Sequence, residues 1–500
     1  MSTHDPVRFW AAVQPERAAL RSPRSFWTYR ELDRAVWAAS DALLEKGLGA
    51  GEHVSLEFGP GDPVAFAVAL HAVQRIGSLP VIVGAHLTPL ERQTMRERAQ
   101  VEFTLTAGDL DIPHLDGAPP PPAGVAPPIP SETPRAASPD IFLERRLDAP
   151  AAVCFTSGTS GEPRAVVLTH GNFLWSAIAS ARNLGVRAGD LWLCPMPLHH
   201  VGGLSILARS ALYGTAALLH ERFDADAVHH AIDEEGVTLL SLVPTMLIRL
   251  LEARRGRPYP ESLRAVLVGG GPIPPAALEN AAALRMRALP TYGLTEAASQ
   301  VTTLPLREWP RGLSTAGRPL PFAQVEIRDL EDRPARPGVE GEILVRGPTV
   351  MAGYLGDPAA TQAAFSRRWL RTGDVGQWDP DGRLVVMDRR ADRIVTGGEN
   401  VSPEEVERVI STHPSVAAAC VVAVPSREWG QEVAAAVELR PGRTITLEEL
   451  RAHAGGTLSG FKLPRHLITA GELPRSPSGK LLRRVVRERF LDEMAKQKHP

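Results

Sequence analysis

The chain has few cysteines and no long apolar run. Cys154, Cys194 and Cys420 are its three cysteines, and they lie far apart without the spacing of a metal site. This usage argues against a disulfide framework and favours a reducing compartment. Residues 1–10 hold no basic segment leading into an apolar stretch, and no run of 18 apolar residues occurs. Neither secretion nor a membrane span is therefore indicated, and the expected location is the cytoplasm.

An excess of charge of either sign is also missing. The 55 Lys and Arg residues balance 57 Asp and Glu residues, so no global electrostatic attraction to nucleic acid or to an anionic membrane is expected. Hydrophobic residues make up 44% of the chain and charged residues 22%, as in ordinary globular proteins. A length of 500 residues exceeds what one hydrophobic core supports, which predicts two or more domains.

Short apolar runs alternate with helical patterns along most of the chain. Buried strands are predicted at residues 54–58, 79–83, 152–155, 191–194, 239–243 and 265–268. Helices are predicted at residues 29–46, 225–235 and 244–253, so the fold class is α/β. The Pro- and Ala-rich stretch 117–139 predicts a surface excursion. After Asp388 the pattern changes to apolar runs at 417–424 and 433–439 and a charged helical tail at 481–496, typical of a small α+β domain.

A loop rich in Gly, Ser and Thr follows the predicted strand 152–155. It reads Thr156, Ser157, Gly158, Thr159, Ser160, Gly161, Glu162, Pro163, Arg164. Glycines let backbone N–H groups curl around an anion, the hydroxyls add donors and Arg164 adds charge, so the loop predicts a polyphosphate site. A plain Ser/Gly turn has the same composition. The Walker pattern is absent from the sequence, which disfavours a P-loop ATPase.

Four further segments, taken with this loop, carry a family resemblance. They are Tyr292-Gly293-Leu294-Thr295-Glu296, Arg371-Thr372-Gly373-Asp374, Asp388-Arg389-Arg390-Ala391-Asp392 and Ser476-Pro477-Ser478-Gly479-Lys480. In this order the chain resembles the adenylate-forming superfamily of acyl-CoA synthetases, peptide-synthetase adenylation domains and luciferases. The resemblance implies a large N-terminal AMP-binding domain of several subdomains (residues 1–389) and a small, mobile α+β C-terminal domain (residues 390–500) carrying the catalytic lysine.

The resemblance implies ATP, Mg²⁺ and coenzyme A as cofactors and assigns a role to each motif. Lys480 would be the catalytic cation at the acid oxygen and the α-phosphate, a role suited to a flexible point charge. Glu296 and Thr159 would hold Mg²⁺, Asp374 would accept both ribose hydroxyls, and Tyr292 would offer a face to adenine. Without the resemblance, Lys480 would be a solvated tail lysine and Glu296 a surface glutamate. The remaining nucleotide-binding positions are Gly269, Gly270, Gly271, Thr291, Gly293, Thr295 and Arg390.

A second half-reaction, transfer of the acyl group to a thiol, is also implied. In the resembled family the small domain rotates about a hinge residue, here Asp392, and this withdraws Lys480 from the site. Gly397, Gly398 and Glu399 would then form the coenzyme A face, because adjacent glycines allow close backbone approach. A simple hairpin turn is the alternative interpretation of the two glycines.

The substrate prediction depends on a narrower resemblance. Residues 175–177, 198–206, 218–221 and 299–300 resemble the o-succinylbenzoate:CoA ligases of menaquinone biosynthesis. His200 is assigned as a second catalytic residue beside the acyl site, with a structural histidine as the alternative. Arg209 is assigned to a second substrate carboxylate, with a surface ion pair as the alternative. The predicted acyl pocket comprises His199, His200, Arg209, Ser299 and Gln300.

Two departures from the superfamily pattern stand out: Arg164-Ala165 replaces the usual Lys-Gly, and Arg389 stands where Gly is common. An arginine still binds phosphate, so altered ATP affinity is expected and not an inactive protein.

The favoured function is an acid:CoA ligase acting on o-succinylbenzoate or a similar aryl acid. A stand-alone enzyme that loads the acid onto the pantetheine of a carrier protein is the runner-up, and a non-catalytic nucleotide-binding descendant is the third. The sequence leaves a homodimer open.

Overall fold

The computed structural model describes residues 1–110, 144–157, 163–271, 273–329, 331–389, 394–474 and 483–498. The predicted excursion 117–139 lies outside these residues. Within them, no helix combines the length and the apolar composition that a bilayer crossing requires.

The helices and strands are numbered in chain order. Residues 1–110 contain β1 (Ser2–His4), α1 (Pro6–Val13), β2 (Ala18–Arg21), β3 (Phe26–Thr28), α2 (Tyr29–Glu45), β4 (His53–Leu56), α3 (Pro63–Arg75), β5 (Leu79–Ile82), α4 (Pro89–Arg98) and β6 (Phe103–Leu105). Residues 144–319 contain β7 (Glu144–Arg146), β8 (Pro150–Ser157), β9 (Pro163–Thr169), α5 (His170–Leu184), β10 (Leu191–Cys194), α6 (Val201–Tyr213), β11 (Ala216–Leu219), α7 (Ala225–Glu234), β12 (Leu239–Leu242), α8 (Pro244–Arg254), β13 (Ala265–Val268), α9 (Pro275–Ala283), β14 (Ala288–Leu294), β15 (Ser299–Thr303) and β16 (Arg318–Pro319). Residues 324–498 contain β17 (Gln324–Arg328), β18 (Gly341–Arg346), β19 (Gly353–Tyr354), α10 (Pro358–Ala364), β20 (Phe365–Ser366), β21 (Trp369–Trp378), β22 (Leu384–Arg389), β23 (Ile394–Thr396), β24 (Glu399–Val401), α11 (Pro403–Ile410), β25 (Val416–Ser426), β26 (Gly430–Leu439), α12 (Leu447–Gly455), β27 (His466–Ala470) and α13 (Arg483–Lys498).

Two largely parallel sheets organise the N-terminal part. One has the order β16-β15-β14-β13-β12-β10-β11-β2-β3, and the other β19-β9-β8-β5-β4-β6. The neighbours β14, β13, β12, β10 and β11 pair in parallel, as do β6, β4, β5 and β8. The six predicted buried strands correspond to β4, β5, β8, β10, β12 and β13, and the predicted helices to α2, α7 and α8. The α/β fold class is confirmed.

The local sequence accounts for these elements. Strands β10, β12 and β13 are buried along their whole length, so they are continuous apolar runs and do not alternate. Helix α2 begins with a capping box in which the Thr28 side chain accepts from the Glu31 N–H and Glu31 accepts from the Thr28 N–H. Its buried face then packs against α3 and α1.

The C-terminal residues form a separate α+β unit. Strands β24-β23-β26-β25 make its sheet, with β27 parallel to β26. One apolar cluster packs α11 and α12 on this sheet, and another packs α13 on its other face. Before this unit in the chain, residues 324–389 form the antiparallel sheet β17-β18-β21-β20, with β22 on β21. The predicted domain boundary at 389/390 falls between β22 and residues 390–393, which are outside the described residues, and it stays a prediction.

A buried ion cluster fixes the first helix to helix α3 and strand β7. Asp5 is fully buried, caps α1 by accepting from the Val7 and Arg8 N–H groups, and pairs with Arg75 at 3.0 Å and Arg145 at 2.6 Å. Burial raises the pKa of Asp5, but the guanidinium groups of Arg145 and Arg75 outweigh this effect and hold the pKa far below its usual 3.8. The charged carboxylate therefore links three segments of the chain.

We expect Asp5→Asn to lower the free energy of unfolding by about 3–5 kcal/mol, because it leaves two buried guanidinium groups without their shared carboxylate. Asparagine still caps a helix, so the change isolates the charge. The contribution of Asp5 is complete above its unfolded pKa and is lost as pH falls toward the depressed folded value. The midpoint of urea unfolding at pH 7 and at pH 3 measures both effects.

Asp148→Asn is the matched control, since Asp148 pairs with Arg146 at the exposed surface. We expect no measurable change in its unfolding midpoint. Equal midpoints for the two variants would contradict the assigned role of Asp5.

Candidate functional site

A cavity of about 450 Å³ lies where the parallel strands of the two sheets end. Its walls include Gly269 and Gly270 after β13, Leu242 and Val243 at the end of β12, and Thr156 in β8. The carboxyl ends of parallel strands are the usual place for a ligand in α/β folds, because loops from several strands converge there.

The turn between β14 and β15 supplies the wall that was predicted to bind nucleotide. Thr291, Gly293, Thr295 and Glu296 all line the cavity. Gly293 cannot be replaced without rearrangement, since a Cβ atom there would lie 1.7 Å from the Ser299 carbonyl oxygen. The motif glycine is thus explained by the close approach of two strands.

Glu296 is held by a residue that the sequence analysis missed. The Tyr354 hydroxyl in β19 donates to Glu296 Oε1 at 3.2 Å. The Arg164 guanidinium lies over the Tyr354 ring at 5.2 Å from its centroid, so the last residue of the predicted phosphate loop is near Glu296. One carboxylate, one phenol and one guanidinium therefore lie together, and of these Glu296 lines the cavity.

Tyr292 and Asp374 form a buried pair behind this wall. The Tyr292 hydroxyl donates to Asp374 Oδ2 at 2.7 Å, and the Tyr292 ring is part of a hydrophobic cluster with Val301 and Ile343. Among the described residues, the cavity lining does not include Arg164, Gly271, Tyr292 or Asp374. The residues predicted to contact adenine and ribose are thus hydrogen-bonded to each other.

Arg209 projects from α6 to the cavity and is 2% exposed. Its Nη2 donates to Ser176 Oγ at 3.1 Å, and no carboxylate of the described residues pairs with it. Burial lowers the pKa of Arg209 to about 10, so the guanidinium stays charged at neutral pH. A surface ion pair, the alternative role for Arg209, is excluded by this burial.

Ser299 and Gln300 lie on the cavity wall with Arg209, as predicted for the acyl pocket. Gln300 donates to Thr303 Oγ1 at 2.9 Å, while its own carbonyl oxygen has no partner among the described residues. The pocket at this end therefore combines one buried cation with an amide acceptor.

Glu399, from the C-terminal unit, reaches the histidines of the N-terminal part. His200 Nε2 lies 3.0 Å from Glu399 Oε2, and His199 Nε2 lies 3.5 Å from Oε1. The neighbouring Gly397 and Gly398 also line the cavity. The structure thus brings together the predicted coenzyme A face and two predicted acyl-pocket residues.

The charges of this cluster follow from burial and mutual contact. Burial raises the pKa of Glu399, but His200 and His199 outweigh it and hold the pKa well below 4.5. Burial lowers the pKa of His199 to about 4, with His200 adding to the shift. Burial also lowers the pKa of His200, but the Glu399 carboxylate outweighs it and raises the pKa above 6.5. At neutral pH, Glu399 is an anion and His199 is neutral.

A second contact between the two parts involves Lys462, which the sequence analysis did not single out. Lys462 Nζ donates to Glu91 Oε1 of α4 at 2.5 Å and to Glu405 Oε1 of α11 at 2.8 Å. The Ser459 hydroxyl also donates to Glu91. Burial lowers the pKa of Lys462, but the two carboxylates outweigh it and raise the pKa, so the ammonium joins α4 to α11.

The structure leaves part of the prediction outside the described residues. These residues are Gly158, Thr159, Ser160, Gly161, Arg390, Asp392 and Lys480. Tyr354 and Lys462 carry no motif signal in one sequence. His86, which stacks on His199, follows the predicted strand 79–83, so its place at a strand end was the available signal.

The chain matches two family models. The AMP-binding enzyme model covers residues 7–355, and the AMP-binding enzyme C-terminal domain model covers residues 405–480. The chain is 36% identical to a 2-succinylbenzoate--CoA ligase of Bacillus cereus, over 97% of this chain and 98% of that protein.

Two solved structures of the o-succinylbenzoate CoA synthetase of Bacillus subtilis differ in their similarity to this chain. A double mutant bound with its product analogue has a TM-score of 0.88, with 33% identity over 98% of this chain and 99% of that chain. The complex with the acyl-adenylate intermediate has a TM-score of 0.71, with 32% identity over 97% and 98%. The units of this chain are therefore arranged more as in the product-analogue complex. These matches establish that the chain belongs to the AMP-binding enzyme family.

Proposed function

We propose that this chain is an ATP-dependent acid:CoA ligase that converts 2-succinylbenzoate to an acyl-AMP and then to a coenzyme A thioester. The buried, carboxylate-free guanidinium of Arg209 in the cavity carries the substrate part of this proposal. The 2-succinylbenzoate--CoA ligase relatives, similar over 97% of the chain, support it. A cytoplasmic location and a place in menaquinone biosynthesis belong to the same proposal, and the homodimer stays open.

Two carboxylates on the substrate require two different environments. One must stay an anion to be recognised, and the other must be neutralised by reaction at phosphorus. A buried Arg209 pairs with the first through charge-assisted hydrogen bonds, which are strong in a site sheltered from water. Leaving the guanidinium unpaired costs free energy, so an acid lacking that carboxylate is disfavoured.

The cavity wall suits the nucleotide and its magnesium ion. Glu296 lines the cavity and accepts a hydrogen bond from Tyr354, and with Thr159 it would hold Mg²⁺, which neutralises phosphate charge. Gly269 permits close backbone approach, because even a methyl group there would lie 2.7 Å from the Thr291 side chain. Lys480 is assigned as the adenylating cation through the family resemblance, with Asp392 as the hinge of the domain boundary at 389/390.

The described arrangement supports a thiol-acceptor side of the site at Gly397, Gly398 and Glu399. Gly397 and Gly398 line the cavity beside Glu399, which is anchored by His200. We assign His200 as the residue that positions Glu399 during thiol transfer, since its Nε2 is engaged by that carboxylate. The higher similarity to the product-analogue complex supports this assignment.

A pyrophosphate-release assay with ATP and Mg²⁺ tests the function directly. We expect strong release with 2-succinylbenzoate, weak release with benzoates, fatty acids and amino acids, and loss of release in Lys480→Ala. Coenzyme A and a pantetheinylated carrier protein, supplied separately, then identify the acceptor, and we expect turnover with coenzyme A. No release with 2-succinylbenzoate beside strong release with another acid would overturn the substrate.

We expect Arg209→Met to lower kcat/KM for 2-succinylbenzoate by about 30-fold or more, because a buried carboxylate loses its charged partner. Arg209→Lys, which keeps the charge without the planar fork, should lose less. Matched monoacids lacking either one of the two carboxyl groups provide the control. The monoacid without the recognised carboxylate should lose no kcat/KM in Arg209→Met, because it makes no pair with the guanidinium, and an equal loss for all acids would contradict the assignment.

A further inference from the structure

His86, His199 and Glu399 bring three metal-ligating atoms together at the boundary of the two units. One imidazole nitrogen from each histidine and one carboxylate oxygen all lie within 4.8 Å of one another. His86 and His199 follow β5 and β10 in the N-terminal part, whereas Glu399 begins β24. The nucleotide and acyl assignments use Glu399 and His199 but give His86 no role.

The spacing of these atoms fits a tetrahedral ion. His86 Nε2 and His199 Nε2 lie 3.7 Å and 3.5 Å from Glu399 Oε1. Zinc–ligand bonds of about 2.0–2.1 Å place tetrahedral ligand atoms about 3.3 Å apart. The two histidine-to-carboxylate distances therefore exceed the tetrahedral spacing by only a few tenths of an ångström, and small side-chain movements would remove this difference.

The surroundings hold the ligands in place. The His86 and His199 rings stack at 4.6 Å, and a Cβ atom on Gly84 would lie 2.5 Å from His86, so this glycine is needed for the ring position. His200 binds the other oxygen of Glu399, which orients the carboxylate as an outer-shell partner does. The His199 Nε2 atom is buried and makes no hydrogen bond among the described residues. The nearby Lys462 ammonium is paired with Glu91 and Glu405.

We propose that His86, His199 and Glu399 bind a divalent transition cation of the zinc type, which joins the C-terminal unit to the N-terminal part. Two imidazoles and a carboxylate suit zinc and its neighbours and are a poor site for Mg²⁺, which prefers oxygen ligands. Three protein ligands leave a fourth coordination position. Because the ligands come from both units, the cation stabilises the arrangement described here and opposes the domain movement of the proposed reaction.

The three cysteines do not compete for the ion. Cys154, Cys194 and Cys420 are buried, and burial raises the pKa of the Cys154 and Cys194 thiols to about 12. Metal binding requires the thiolate, so these two residues are inert toward the ion at neutral pH. A bound ion is therefore assigned to the histidine cluster.

Competition with a chromogenic zinc chelator, using the full chain without substrates, tests the proposal. We expect stoichiometric Zn²⁺ binding that excess Mg²⁺ does not displace, and an affinity at least about tenfold lower in His86→Gln. His230→Gln is the matched control, since His230 is exposed on α7 and does not line the cavity. Gly84→Ala, which displaces the His86 ring without removing it, should also weaken binding.

A second measurement uses thermal unfolding. Zn²⁺ should raise the unfolding temperature of the wild type and of His230→Gln, and should raise that of His86→Gln much less. Binding that is unchanged in His86→Gln, or equally weakened in His230→Gln, would overturn the proposal. Neither measurement depends on catalysis, so failure of the proposed function leaves the test intact.

Discussion

A single buried carboxylate, Glu399, joins the two parts of the chain at the cavity. Burying an anion is costly unless partners surround it, and here three histidines from the N-terminal part lie against it. Its pKa is held well below the usual value, which shows that the contacts outweigh the loss of water. In the arrangement in which these histidines contact the carboxylate, the C-terminal unit presents Gly397 and Gly398 to the cavity.

The Lys462 contact also holds the two parts of the chain together, at another side of the cavity. One ammonium is shared by Glu91 and Glu405, which belong to different parts of the chain. Separating the parts would expose Glu91 to water and leave Lys462 with Glu405 alone. Buried polar contacts of this kind favour one arrangement over others, because the alternatives must satisfy the same groups in water. Localised ionic contacts of this kind suit the domain movement of the proposed reaction.

Much of the architecture could be predicted because both parallel sheets are covered on both faces. Their strands, such as β12 and β13, are therefore short, continuous apolar runs, and such runs predict buried strands. The importance of Gly293 could also be predicted, because a position where two backbone segments approach closely requires glycine. Arg209 lines the cavity with the other residues assigned to the acyl pocket, but its burial could not be predicted from the sequence, because an arginine at a helix face is usually exposed.

The contacts between the units could not be predicted. His86, Glu91 and Lys462 make their contacts between the N-terminal part and the C-terminal unit only in the folded structure. No local spacing in the sequence predicts these contacts. Tyr292 shows a related limit: its motif position suggested a face for adenine, whereas its hydroxyl binds Asp374 and its ring packs in a core. Sequence motifs identified the candidate site residues, but the partners of those residues could be identified only from the structure.

In the proposed reaction, Glu399 organises the thiol-accepting arrangement and is not required to form the acyl-adenylate. Single-turnover measurement of both half-reactions in Glu399→Gln separates these two roles. We expect near-normal acyl-adenylate formation and thioester formation slowed by about tenfold or more, because a charge-assisted contact is lost. Equal slowing of the two steps, or unchanged thioester formation, would contradict this assignment.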